Sequence, residues 1–129
     1  MKKTAILWSK AAGAMDAGTG LMLILFPELV LRLLGIPEPP PEARTFLRWI
    51  GVFVASTGLS YIWALRGGIA AETVWGFTAM IRLAVAAFLA SMILAGALAA
   101  PWALVAAADA AVAVVQILGL RAGWWKTKA

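Results

Sequence analysis

Residues 73–98 read TVWGFTAMIRLAVAAFLASMILAGAL, and this stretch decides the fold. A helix needs about 20 predominantly apolar residues to cross the hydrocarbon core of a bilayer. This run exceeds that length and carries one ionisable residue, Arg82, near its middle. Three further apolar runs flank it, at 4–26, 46–65 and 102–120. The expected fold class is therefore all-α: a four-helix transmembrane bundle, with residues 1–129 forming a single transmembrane domain.

Composition points the same way. Hydrophobic residues make up 64% of the chain and charged residues 13%. Soluble domains are about half apolar and about a quarter charged. Four crossings and short links account for the 129 residues given. The net charge is +5. Its lysines and arginines sit mainly at segment ends, where they meet anionic headgroups. No basic face is interleaved with exposed aromatics, so no nucleic-acid partner is expected. Cysteine and histidine are both absent. That removes disulfides, zinc sites of the Cys/His type and His-ligated haem; no metal and no cofactor is expected.

Met1-Lys2-Lys3 before an apolar run resembles a signal peptide, but the run is long and contains Lys10 and Asp16. It reads as a retained first span. After it, Pro27 suits the first turn of a new helix. Glu28 and Arg32 share one face of a segment too short to cross, so residues 27–35 are expected to form an interfacial helix. Residues 36–42 (IPEPPPE) read as a stiff extended loop. Arg66-Gly67-Gly68 reads as a tight turn, and Pro101 as an opener of the last helix.

Lys2, Lys3, Arg66, Arg121, Lys126 and Lys128 fall on one side of this layout. Arg32, Arg44, Glu28, Glu38 and Glu42 fall on the other. The positive-inside rule then places both termini in the cytoplasm. The seven tryptophans sit at span ends, as an aromatic belt would.

Gly13, Ala17 and Gly20 follow an i, i+4, i+7 pattern in the first span, and Gly51, Ala55 and Gly58 repeat it in the second. Such stripes let two backbones approach closely. The local strings GAMDAGTGL and GVFVASTGL match at five of nine positions. Packing of consecutive antiparallel helices explains this, and an internal duplication is the alternative.

Three ionisable residues fall near the centres of their spans. From the helical rise, Asp16 lies about 16–18 Å and Arg82 about 14 Å from the inner end, and Asp109 about 10–12 Å from the outer end. Thr57 and Ser60 reach similar depth, and Thr19 and Thr78 lie close by. A charge at the bilayer centre costs roughly 2.5–3.5 kcal/mol on insertion scales, so the three are expected to face inward. A guanidinium is a planar fork suited to bridging two carboxylates. Such a cluster either fixes helix order or serves a proton, ion or polar ligand. Lys10 and Gln116 form a second, shallower polar pair; Lys10 can snorkel to the headgroups, as can Arg48. Ser56, Ser60 and Ser91 have no general base in a recognisable arrangement, and no enzymatic activity is expected.

The first span ending in LFPELVLRLLGIP, the second span FLRWIGVFVASTGLSYIWAL, Arg82 inside the third and AAADAAVAVVQILGL in the fourth resemble the small four-helix bacterial membrane proteins of the DoxX-like kind. That resemblance implies an integral protein of the bacterial inner membrane, often an accessory to other membrane components, and supplies no catalytic residue. The expected partners are membrane lipids and other membrane proteins or a second copy of the chain. A small proton-coupled carrier using Asp16, Arg82 and Asp109, and a lipid or quinone binder with the short helix as a lid, are the alternatives.

Overall fold

The structure, a computed structural model, describes residues 1–126; Lys128, counted above with the cations of one side, lies outside them. Among the described residues there is no strand. The helices are α1 (Lys2–Leu25), α2 (Pro27–Leu33), α3 (Pro41–Ala64) and α4 (Gly68–Leu94), then a 3-10 turn (Ala100–Trp102) that leads into α5 (Ala103–Arg121). The last three long helices are each long and apolar enough to cross a membrane. Lys10 and Asp16 interrupt α1, which qualifies only together with α2, from which it is bent by 119°.

The helix ends follow local chemistry. Phe26 leaves the helical region (φ −137°, ψ 61°) and Pro27 opens α2, because proline has no N–H to continue the ladder. The carbonyl of Ile24, left over at the end of α1, accepts from Arg48 Nη1 at 3.0 Å. Arg48 thus serves the backbone of a neighbouring helix, in addition to the surface roles open to it on sequence grounds. The stiff loop is shorter than expected: α3 begins at Pro41, inside it. Proline is tolerated in a first helical turn. The expected third span, 73–98, is shifted toward the N-terminus. It starts directly after the glycine turn and stops before Gly96 (φ +74°), whose N–H bonds Ile93 O while Ala97 N–H bonds Met92 O. A glycine past the helix end does this cheaply because the left-handed region costs it little.

Two helix pairs make up the body. In the first, α1 and α3 run antiparallel along their glycines. A Cβ added at Gly58 would lie 2.7 Å from Gly13 O and closer still to Ala17 N, and one at Gly51 would lie 2.8 Å from Gly20 O. The strings GAMDAGTGL and GVFVASTGL therefore lie face to face in opposite directions. The second pair is α4 and α5. Large side chains fill the space between the pairs at the end where α1 begins and α5 finishes: Tyr61, Trp75 and Trp125 cluster there with Ala5, Ala12, Ala64 and Ala71. The Trp75 ring meets those of Trp125 and Trp124 edge-on, with centroids 5.4 and 6.1 Å apart. This corrects the uniform aromatic belt. Trp49 and Trp63 are exposed, but Trp75 and Trp125 are core residues.

The outer faces of the long helices are apolar. Leu7, Leu21, Phe53, Ile62, Phe77, Phe88 and Leu118 are each more than half exposed. Apolar surface on every long helix is far beyond what a monomer keeps in water, and it suits lipid. At the loop end, Arg44 bridges Glu28 at 3.3 Å and Glu38 at 2.9 Å. This ties α2 and the connecting loop to the start of α3.

Candidate functional site

Arg82 stands at the centre. Its Nη2 donates to Asp16 Oδ2 at 2.5 Å and its Nη1 to Asp109 Oδ1 at 2.7 Å. One guanidinium thereby joins α1, α4 and α5. The side chains are unequally sheltered: 4% of Arg82 is exposed, 10% of Asp16 and 21% of Asp109. Tyr61 of α3 completes the set, its hydroxyl 3.5 Å from Arg82 Nη2.

A second polar layer lies toward the termini. Tyr61 Oη donates to Gln116 Oε1 at 2.6 Å. The Gln116 amide donates to Thr78 Oγ1 at 2.8 Å and to Trp75 O at 3.0 Å. Trp75 Nε1 donates to Ser9 Oγ at 2.8 Å. Ser9, Thr78 and Gln116 are buried, and each of these polar groups has a partner, as buried polar groups require.

The two layers share one register. Ser9 and Asp16 are seven residues apart on α1, Trp75 and Arg82 seven apart on α4, and Asp109 and Gln116 seven apart on α5. Seven residues are two turns, so each pair lies on one helix face. α1 and α4 run parallel, and Ser9–Trp75 and Asp16–Arg82 advance together. α5 runs opposite, so its aspartate meets the arginine and its glutamine meets the tryptophan backbone. The glycine seam of α1 and α3 uses the same step, Gly13 to Gly20 against Gly51 to Gly58.

The structure brings Asp16, Arg82 and Asp109 together. It leaves Thr57 and Ser60 out: their hydroxyls donate to Phe53 O at 2.9 Å and Thr57 O at 2.6 Å, within their own helix. Such local bonding is what helical Ser and Thr do by default. Lys10 and Gln116 do not pair either; Gln116 is fully buried in the second layer and Lys10 is exposed. Gly13, Ala17, Gly20, Gly51, Ala55 and Gly58 line the α1–α3 contact. Thr78, close in depth to the charged trio on sequence grounds, does join the network; Ser9, Tyr61 and Trp75 are the members that sequence reasoning missed. The seven-residue spacing was their signal: it links Ser9 to Asp16 and Trp75 to Arg82.

The second layer gives a prediction of moderate size. Tyr61→Phe leaves Gln116 Oε1 without its donor. Interhelical hydrogen bonds in membrane proteins average about 0.6 kcal/mol and reach about 1.7 kcal/mol, and a buried acceptor left unsatisfied raises the loss. Thermal unfolding in mild detergent should show a destabilisation of about 1–2 kcal/mol with helicity intact. A variant as stable as the parent would mean that Tyr61 is only a space-filler.

These features define a class: an all-helical protein with apolar helices of membrane-crossing length, joined by a buried ionic and hydrogen-bonded core. Comparisons with protein-family models, with curated proteins and with solved structures find no match to this chain.

Proposed function

We propose that this chain is a multi-pass protein of the bacterial inner membrane, with four spans, α2 at the interface and both termini cytoplasmic. It acts as a non-enzymatic subunit or accessory that packs against another membrane protein or a second copy of itself. The accessory role agrees with what the DoxX-like resemblance implies. The serines lend no support to catalysis: Ser56 and Ser91 donate to Val52 O and Phe88 O of their own helices.

One observation carries the reading, the incomplete cover of Asp109. Arg82 engages its Oδ1, yet a fifth of the side chain stays open. On the loop side of the charged layer, Ala86 is the last buried residue of α4. Ala106 is the single buried residue of α5 on that side among the described residues. At mid-bilayer depth lipid offers a carboxylate nothing, and an ionised residue there calls for a partner. A neighbouring helix that brings a donor to this edge closes the layer. The proton-coupled carrier draws on the same surplus of one carboxylate over the guanidinium. The quinone reading fares worse: the recess beneath α2 is about 150 Å³ and is lined by Glu28, Arg32 and Glu38 beside Leu31 and Ile36. Ligand pockets start at roughly 300 Å³ and are mostly apolar.

The test is assembly in mild detergent. The parent chain should run as a dimer or with a stable membrane partner. Asp109→Leu should lower the assembled fraction at least about tenfold, a difference of about 1.4 kcal/mol. Its fold should survive, because Arg82 keeps Asp16 as a one-to-one partner. A parent chain that is monomeric under every condition removes this reading. Vesicle flux lost in Asp109→Asn would favour the carrier.

A further inference from the structure

We propose that the outward-facing groove between α1 and α3 binds one anionic phospholipid of the leaflet on the terminal side, with an acyl chain in the groove and the phosphate at Lys10. This rests on the membrane reading above and is independent of any protein partner.

The groove has a volume of about 280 Å³ and an almost wholly apolar lining. It exists because small residues meet there, Ala14 and Ala17 of α1 beside Gly58 of α3, while Leu59, Ile62 and Leu65 rise along its α3 side. From Ser9 to Ala17 it follows α1 for about 12 Å. That is a trough for an extended hydrocarbon chain running from the terminal end toward the middle of the molecule.

Lys10 also lines it. Among the described residues Lys10 has no carboxylate at ion-pairing distance; the bridges there belong to Arg44 and Arg82. The acids nearest its level are Asp16, which is turned inward to Arg82, and Glu72 of α4, which forms no ion pair with it. Lys10 lies eight residues from the start of α1, about 12 Å along the helix. A lysine at that depth runs its stem along apolar surface and lifts its ammonium toward the headgroups. A phosphate whose own acyl chain fills the adjacent groove meets the ammonium there. Lys2, Lys3, Arg66 and Arg121 ring the same end, and such a cationic rim favours anionic over zwitterionic lipid.

The test uses the full chain, in its native assembly, transferred to mixed micelles with equimolar phosphatidylglycerol and phosphatidylcholine and read by native mass spectrometry. The parent should retain one phosphatidylglycerol per chain. Lys10→Gln should reduce the preference for it about fivefold, while Lys2→Gln, at the same end and outside the groove, should leave it nearly unchanged. Ala14→Phe, at an exposed position, should fill the groove and displace both lipids. Circular dichroism reports whether each variant is folded. A parent with no retained lipid, equal losses in Lys10→Gln and Lys2→Gln, or full retention in Ala14→Phe would each overturn the site. The same spectra give the oligomeric state, so loss of the lipid with the assembly intact separates this inference from the proposed function.

Discussion

Arg82→Met is expected to leave little folded protein in mild detergent, the largest loss of any single substitution in the chain. The change removes the one cation between Asp16 and Asp109. Two carboxylates then share an interior sheltered from water, with no counter-charge among their neighbours. Deleting one partner of a buried ion pair costs about 3–5 kcal/mol, against a total stability of roughly 5–15 kcal/mol for a typical domain. Here the deletion strands two partners. Arg82→Lys should fall between parent and methionine, because the two bonds leave from two different nitrogens of a planar fork, and a single ammonium lacks that span. The decisive companion is Asp16→Leu/Arg82→Met/Asp109→Leu. Replacing a whole buried ionic set by apolar residues of similar size is often neutral. The triple variant should therefore recover most of the stability while staying unable to assemble through Asp109. Tryptophan fluorescence follows both, since Trp75 and Trp125 sit in the core at the terminal end. An Arg82→Met protein that melts like the parent would mean the charges do not hold the helices at all.

The charged layer was legible in the sequence because charge is scarce there. Asp16, Arg82 and Asp109 are the ionisable residues near the middles of apolar runs, whereas Lys10 and Arg48 lie nearer the ends, and the cost of lipid-exposed charge leaves few places for the central three. The glycine seam was legible for a related reason: small residues at i, i+4, i+7 have no other use on an apolar helix face. The second layer was harder to read. Gln116 is legible as inward-facing, seven residues after Asp109 on the same face, but Tyr61 and Trp75 each suit a headgroup boundary by type, and hydropathy alone sorted the tryptophans to the span ends. Distinguishing a boundary tryptophan from a core one needs the helix azimuth. Trp75 shares that azimuth with Arg82, seven residues on, whereas Trp49 and Trp63 lie on outward faces. Thr57 and Ser60 misled because depth was estimated and direction was not. Helix ends at prolines were placed by what the residue forbids, and Pro41 shows the limit: the same missing N–H that suits a loop also suits a first turn.

Gly58→Leu should cost nearly as much as losing the arginine, through geometry alone. The added Cβ falls on the backbone of α1, 2.7 Å from Gly13 O and closer to Ala17 N. No rotamer change relieves a clash between a Cβ and a main chain, so the helices must separate. Overpacking costs about 1–3 kcal/mol and occasionally more. Gly58→Ala should sit in that range and leucine at or above its top. The damage spreads because α1 carries two bonds to α4. Moving α1 away from α3 shifts Asp16 against Arg82 and Ser9 against Trp75, so the ionic layer loosens with the seam. Gly18→Leu is the matched control. It lies on the same helix as Gly13 and Gly20, but a Cβ there has nothing within 4 Å, and it should unfold with the parent. The Trp75 environment distinguishes the mechanisms. A seam that transmits strain changes core tryptophan emission in Gly58→Ala before unfolding begins, whereas Gly18→Leu leaves the emission of the parent. Equal behaviour of the two glycine positions would show that the close approach of α1 and α3 contributes nothing to holding the charged layer in register.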